Sequence, residues 1–365
     1  MAKSVCIADV CKEIFAGGDV PKSALSYEKT AEYNVPIFSN GEKNCGLYGY
    51  TNNARVKEPS ITVSARGTIG YTAIRTEPFV PVVRLITLTP KSEVIDLDYL
   101  FYATQNYKFE GSGTSIPQLT VPMLKKYKFP LPEMSHQKAI AVKFEKLDQL
   151  ISLRKQQLAK LDELVKAQFV EMFGDPKDNR SNLVKIGEIG DLTSGGTPSR
   201  SNSEYFNGSI RWYSAGELNS LYLPDSIEHI SRTALSQSAA KLFEKGTLMI
   251  GMYDTAAFKM GILTEQSSSN QACANLKPTE QYSVIWLYYL FDIMKPIFLT
   301  ERQGVRQKNL SLSKIRNFNI PSAPLSLQNQ FAAFVECVDQ QKQTVQQSLE
   351  KLELMKKALM QEYFG

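Results

Sequence analysis

At 365 residues the chain is roughly two to three times the usual domain length, which excludes one small domain and favours two bodies that each bury a core. Its 43% hydrophobic and 22% charged residues exclude a disordered chain. The net charge of +5, from 42 Lys+Arg against 37 Asp+Glu, is too small to announce a polyanion partner by itself.

In chain order, the opening residues 1–10 hold Lys3 and Asp9 and no apolar core of signal-peptide length. Residues 1–134 form a first body. Apolar runs at 61–64 and 80–88 predict strands, turn residues stand at Ser39-Asn40-Gly41 and Arg66-Gly67, and a helix is expected over 97–106. Pro132 and Ser135 open a first helix over 135–174, closed by Gly174-Asp175-Pro176. A second body, 175–325, has strand candidates at 210–213 and 247–250 and a helix candidate at 285–294. Its apolar run at 284–299 is interrupted by Asp292 and Lys295, so membrane insertion is not expected and a cytoplasmic location is. A second long helix, 326–365, follows Pro324.

Residues 113–174 align without a gap on 304–365 at a constant offset of 191. Identical pairs include Leu119/Leu310, Pro130/Pro321, Gln137/Gln328, Asp148/Asp339, Leu158/Leu349 and Lys166/Lys357. Generic amphipathic helices would share periodicity without sharing such polar residues. Upstream the match survives only in fragments: Gly17-Gly18 resembles Gly195-Gly196, and 61–64 resembles 248–251. The tails are duplicates and the bodies have diverged.

Both tails carry heptad spacing. The expected coiled-coil core is Ile140, Phe144, Leu147, Ile151, Leu158, Leu161 and Val165 in the first, with Val335, Val338, Val345, Leu349, Leu352 and Leu359 in the second. Arg154, Gln168, Lys342 and Lys356 interrupt the stripes. Helices of roughly 35 residues, about 50 Å long, exceed one small body. The expected fold class is therefore α+β, with two globular α/β bodies in pseudo-two-fold arrangement joined by a long antiparallel two-helix coiled coil.

Loops at 64–68, 111–115, 194–200 and 302–309 combine glycine, hydroxyl, amide and basic residues and contain no acidic residue. Arg, Gln and Asn suit base edges, while Lys, Ser, Thr and free backbone N–H groups suit phosphates. Against this stand missing catalytic motifs. The chain has no Pro-Pro for an Asx-Pro-Pro-aromatic loop, no metal-dependent nuclease set and no Gly-x-Ser-x-Gly elbow. The stretch at 17–23 lacks the glycine before its lysine, and Pro21 removes an N–H donor from any phosphate loop. Five scattered cysteines, Cys6, Cys11, Cys45, Cys273 and Cys337, read as reduced thiols, and two histidines, His136 and His229, make a metal site improbable.

Two reading bodies, duplicated helices and no catalytic motif resemble the specificity (S) subunit of type I restriction-modification enzymes. The residues carrying the resemblance are the stretch 194–200, residues 251–261 with Asn270-Gln271-Ala272, Asn309-Leu310-Ser311 leading to Pro321 and Gln328, and 359–365. The resemblance implies that each body is a target recognition domain reading half of a bipartite double-stranded DNA sequence, with the coiled coil as ruler. It implies two methyltransferase (M) subunits and motor-nuclease (R) subunits as partners, with S-adenosylmethionine, ATP and Mg used by those partners and no cofactor in this chain. No membrane partner is implied, and the chain itself is no enzyme.

By motif position, DNA contact is expected from Lys22, Asn40, Arg66, Thr68, Ser115 and Gln118 in the first body. In the second it is expected from Thr197, Arg200, Tyr253, Lys259, Arg302, Arg306, Gln307 and Lys308. Partner docking is expected at Phe169 and Met355, near Val165 and Leu359, although Leu164, Phe169 and Met355 equally suit the coiled-coil core. A type IIB-like recognition subunit and a scaffold without sequence-specific DNA binding remain open alternatives.

Overall fold

A computed structural model describes residues 3–107, 118–178, 182–302 and 309–365. The chain divides into two compact units, residues 1–156 with 346–365, and residues 157–345.

In unit one the elements run β1 (Lys3–Cys6), α1 (Ile7–Val10), β2 (Cys11–Ala16), β3 (Val35–Phe38), β4 (Leu47–Thr51), β5 (Ser60–Val63), β6 (Thr72–Arg75), β7 (Val80–Pro81) and β8 (Ile86–Pro90). Then come α2 (Leu97–Gln105), α3 (Val121–Lys125), β9 (Lys128–Leu131) and the start of α4 (Met134–Phe173). The main sheet has the order β2-β8-β5-β6, a small sheet the order β4-β3-β7, and β1 pairs with β9. Strand β5 is buried along its whole length. Its apolar residues Ile61 and Val63 enter the core, while Ser60 Oγ meets Thr89 Oγ1 at 2.9 Å and Thr62 Oγ1 accepts from Arg75 Nε at 3.1 Å. Buried hydroxyls without such partners would destabilise the sheet.

The apolar run 80–88, expected as one strand, is two. Val83 and Arg84 adopt φ of 53° and 69°, and their N–H groups donate to the carbonyls of Gly18 and Gly17 at 2.8 and 3.1 Å. Glycine is required at 17 because a Cβ there would lie 2.5 Å from the Pro81 carbonyl.

Unit two begins with the rest of α4, then β10 (Leu183–Lys185), β11 (Gly190–Ser194), β12 (Ile210–Tyr213), β13 (Asn219–Tyr222), β14 (Glu228–Ile230), α5 (Arg232–Gln237), β15 (Leu248–Gly251) and β16 (Met260–Ile262). Next come β17 (Ser268–Ser269), β18 (Cys273–Pro278), α6 (Val284–Thr300), α7 (Leu312–Asn317), β19 (Asn319–Pro321) and α8 (Leu325–Phe364). The sheets are β11-β18-β15-β16-β13, β14-β12-β17 and β10-β19. Strand for strand this repeats unit one, down to the parallel pairs β3/β7 and β12/β17, and adds only β13. Even the close approach recurs, since a Cβ on Gly195 would lie 2.3 Å from Ser269 O at the end of β17. Helix α6 outruns its expected end and passes through Pro296 because Phe298 stacks on Phe258 and Phe318 at 4.8 and 4.6 Å.

Within each unit, segments of α4 and α8 run antiparallel. In unit one Lys143 Nζ donates to Tyr363 Oη at 2.9 Å, and Lys356 Nζ meets Asp148 Oδ1 at 2.5 Å. In unit two Lys342 Nζ meets Asp162 Oδ1 at 2.5 Å. Two of the residues that interrupt the heptad stripes thus make ion pairs to the neighbouring helix, and Arg154 Nε donates to Ser348 Oγ at 3.2 Å. Of the expected seam, Ile140, Phe144, Leu147, Val165, Val335, Val338, Val345 and Leu349 are buried. Ile151, Leu158, Leu161, Leu352 and Leu359 are half-buried. Ile140 and Phe144 belong to the core of unit one, and Val165, Val335 and Val338 to the core of unit two.

The docking expectation for Phe169 is corrected. It is fully buried in unit two, edge-on to Phe331 at 5.2 Å and stacked with Trp286 at 6.4 Å, so it is a core residue. Leu164 and Met355, 45% and 52% exposed, lie on the surface and not in the seam.

The duplicated glutamine ties each helix to its body. Gln137 Oε1 accepts from the N–H of Asp96, and Gln137 Nε2 donates to the Pro132 and Val94 carbonyls at 2.9 and 3.2 Å. Gln328 Oε1 accepts from the N–H of Ser283 at 2.9 Å, and its Nε2 donates to the Ala323 carbonyl at 2.8 Å. Asp96 and Ser283 are the N-caps of α2 and α6, so the same amide satisfies the same backbone donor twice.

Candidate nucleic-acid interface

Three segments of unit one meet around the end of β5. Asn40 Oδ1 accepts from the N–H of Ala65 at 2.7 Å, its Nδ2 donates to the Val83 carbonyl at 2.5 Å, and Gly41 N donates to Ser64 Oγ at 3.1 Å. The N–H of Leu119 then donates to the Ala65 carbonyl at 2.9 Å. These bonds bring Arg66 and Gln118 together, although 52 residues separate them: Arg66 Nε and Nη2 both donate to Gln118 Oε1, at 3.1 and 2.8 Å. Thr68 is exposed on the same turn, beside Gly67 at φ 68°. Asn40 itself, expected as a DNA contact, has both ends of its amide on backbone groups and acts as the clamp that shapes the loop. Lys22 is exposed on the turn 22–24, with no hydrogen bond to this cluster among the described residues. Ser115 lies outside the described residues.

The corresponding place in unit two is the end of β15. Leu310 N donates to the Met252 carbonyl at 2.8 Å, as Leu119 does to Ala65, and Asp254 N donates to Asn309 Oδ1 at 3.0 Å. Tyr253 therefore stands where unit one has Arg66, and Asn309 where it has Gln118. A cavity of about 490 Å³ opens here, lined by Ser194, Met252, Tyr253, Gln271, Asn309, Leu310, Ser311, Leu312 and Lys314. Thr197 Oγ1 donates to Gln271 Oε1 at its edge. Tyr253 is 40% exposed and Lys259 half-buried.

Two basic candidates are engaged within the protein. Arg200 grips Glu228 with both terminal nitrogens, Nη2 to Oε2 at 2.8 Å, and its guanidinium covers the Phe206 ring at 4.3 Å from the centroid. The hydrogen bond from Arg200 holds the Glu228 carboxyl below its usual range. A free phosphate-binding fork is thus not what Arg200 presents. Arg302 Nε donates to the Leu299 carbonyl at 3.1 Å and closes the C-terminus of α6. Arg306, Gln307 and Lys308 lie outside the described residues.

Sequence reasoning left Gln271, Asn309 and Lys314 out of the expected contacts. The alignment at offset 191 pairs Asn309 with Gln118 and was sufficient to find it. Nothing comparable marks Lys314, which enters the cavity wall from α7. Among the described residues no cluster of three or more His, Cys, Asp or Glu is arranged to hold a metal ion, and no helix is long and apolar enough to cross a membrane. Burial pushes the Cys11 and Cys273 thiols up to about 12.

The family described as the type I restriction modification DNA specificity domain matches this chain over residues 2–163 and 179–354. A Mycoplasma pneumoniae protein named for a type I specificity subunit is 38% identical over 141 residues, covering 39% of this chain and 38% of that protein. A second from the same organism is 39% identical over 135 residues, covering 37% and 40%. The chain thus spans about two fifths of the curated relatives it matches. The type I restriction-modification S subunit from M. genitalium superposes with a TM-score of 0.63 at 17% identity, covering 100% of this chain and 96% of that one. A chain from a structural study of type I complex assembly and conformational transition gives 0.60 at 16% identity, covering 99% and 97%. At these identities the two structures speak to fold.

Proposed function

From the premise that this chain belongs to the type I restriction modification DNA specificity family, we propose that it is the DNA-recognition subunit of such a system. Each body reads one half of a bipartite target, and the paired helices α4 and α8 govern the unread spacer. The observation that carries this reading is a shared scaffold with exchanged side chains. Both units place a loop at the end of the same strand and latch it with the same backbone bond, Leu119 to Ala65 and Leu310 to Met252, yet present Arg66 with Gln118 in one and Tyr253 with Asn309 in the other. Identical readers would select a palindrome; these select unequal halves.

The chain binds and does no chemistry. Methyltransferase subunits supply base modification with S-adenosylmethionine, and motor-nuclease subunits use ATP and Mg. Exposed apolar residues on the helices, Leu354 and Met355 at 68% and 52%, suit docking of the methyltransferase subunits.

The test is to map adenine methylation at single-molecule resolution in a methylase-free host that carries this chain with a cognate methyltransferase subunit. A split, asymmetric motif that vanishes when this chain is deleted supports the reading. Methylation that persists unchanged without the chain, or never appears from a soluble complex, overturns it.

A further inference from the structure

We propose that Arg66 and Gln118 act as one all-donor pair that reads a guanine in the major groove. The inference rests on the reading that the first body contacts DNA, and it adds the base.

The chemistry follows from which hydrogen-bonding capacity is already spent. A guanidinium carries only donors, so the amide atom facing Arg66 must be the oxygen, which fixes the orientation of Gln118. With Nε and Nη2 both directed at Oε1, the side-on edge of the guanidinium is occupied. What remains is its end-on fork, Nη1 with the second hydrogen of Nη2, and beside it the two hydrogens of Gln118 Nε2. Arg66 is exposed, and among the described residues no ion pair engages it. Oε1 is the only acceptor atom of the pair, and the two Arg66 N–H groups occupy both of its lone pairs.

A surface with donors alone fits an edge with acceptors alone. In the major groove that edge is guanine, whose N7 and O6 lie side by side, whereas adenine and cytosine each present an amino donor and thymine a single acceptor beside a methyl group. Gln118 free of Arg66 would favour adenine, which needs a donor and an acceptor together. The arginine therefore both reads and redirects its neighbour. The second body lacks this arrangement: Asn309 Oδ1 accepts from the Asp254 backbone, and Tyr253 supplies one hydroxyl in place of a fork. The asymmetry of the target is thus concentrated at this exchange.

The experiment is methylation mapping with the full chain assembled with its methyltransferase subunits, comparing wild type, Arg66→Ala, Gln118→Ala and Gln118→Glu, with Tyr253→Ala to identify the half read by the second body. In wild type, the half that Tyr253→Ala leaves intact contains a guanine. At that position Arg66→Ala, which frees the Gln118 amide, lowers the preference for guanine roughly ten- to hundredfold and shifts it toward adenine, and Gln118→Ala, which leaves the guanidinium, weakens it by less, while the other half stays unchanged. Gln118→Glu keeps the acceptor for Arg66 and the shape of the loop but replaces donors by an acceptor, so the guanine preference falls without loss of fold. Retention of the guanine in Gln118→Glu and Arg66→Ala, a first-body half without guanine, or relaxation confined to an A·T position overturns the assignment. A wild-type chain that directs no split motif removes the underlying reading; a split motif untouched by these variants removes the pair alone.

Discussion

Replacing Gln328 by alanine tests the argument that one duplicated amide fastens each helix to its body. Gln328 is fully buried and holds the backbone N–H of Ser283 at 2.9 Å and the carbonyl of Ala323 at 2.8 Å, with a longer contact to Gln281 O at 3.5 Å. Losing a net hydrogen bond costs about 1 kcal/mol, and leaving the Ser283 N–H buried and orphaned costs about 1–3 kcal/mol, so the expected loss is about 2–4 kcal/mol. For a unit of this size, about 190 residues, each kcal/mol lowers Tm by about 2–4 °C, which puts the shift at roughly 5–15 °C. Scanning calorimetry of the full chain reads it directly. Gln330→Ala, an exposed position on the same helix, serves as the control and should move Tm by less than about 2 °C. Gln137→Ala should act on the other unit with similar size, since its three bonds repeat those of Gln328. A loss below about 1 kcal/mol in both variants would refute the claim that these amides carry the attachment.

Phe169→Ala should cost about 3–5 kcal/mol and unfold unit two in calorimetry, whereas Met355→Ala should leave Tm unchanged and weaken co-purification of a methyltransferase subunit; the reverse pattern would restore Phe169 to the docking surface. Glu228→Gln should lower stability slightly at neutral pH, within about 1 kcal/mol because the pair is exposed. Since Arg200 depresses the Glu228 carboxyl, that contribution is present above the unfolded pKa and is lost as pH falls through the lower folded one, so wild type and variant should converge in acid melting curves and stay apart at pH 7. Alkylation of the native chain at pH 8 should label the exposed Cys45 and Cys337 and spare Cys11 and Cys273, whose burial pushes both thiols up to about 12; mass spectrometry showing fast labelling of either buried thiol would contradict that packing.

The long helices are legible because a heptad stripe is a local pattern, and the offset of 191 marks their common origin in the sequence alone. Their division of labour is not. The stripe passes through Gln168 and not through Phe169, and that Phe169 meets a body depends on rings such as Trp286 that arrive from over a hundred residues away. The candidate loops stand out by composition, and their wiring is hidden for a similar reason. Arg200 looked free of acidic neighbours until β14 brought Glu228 to it, and Asn40 looked like a contact until its amide closed on Ala65 and Val83. The run 80–88 misled because apolarity alone cannot register a reversal at Val83 and Arg84 that is stabilised by backbone carbonyls of Gly17 and Gly18.

Unit one is assembled from residues 1–156 and 346–365, so the order of synthesis and the order of completion differ. Phe364, 4% exposed, fills a place against Tyr99 at 5.1 Å and Phe144 at 5.8 Å, and it emerges from the ribosome after the whole of unit two. At roughly 5–20 residues per second the earlier part of unit one waits about 10–40 s for its last helix turns. During that interval an aromatic surface meant for α8 is open, and it is available to a chaperone or to a second nascent chain. Unit two, contiguous in the chain at 157–345, has no such delay and closes first although it is made second.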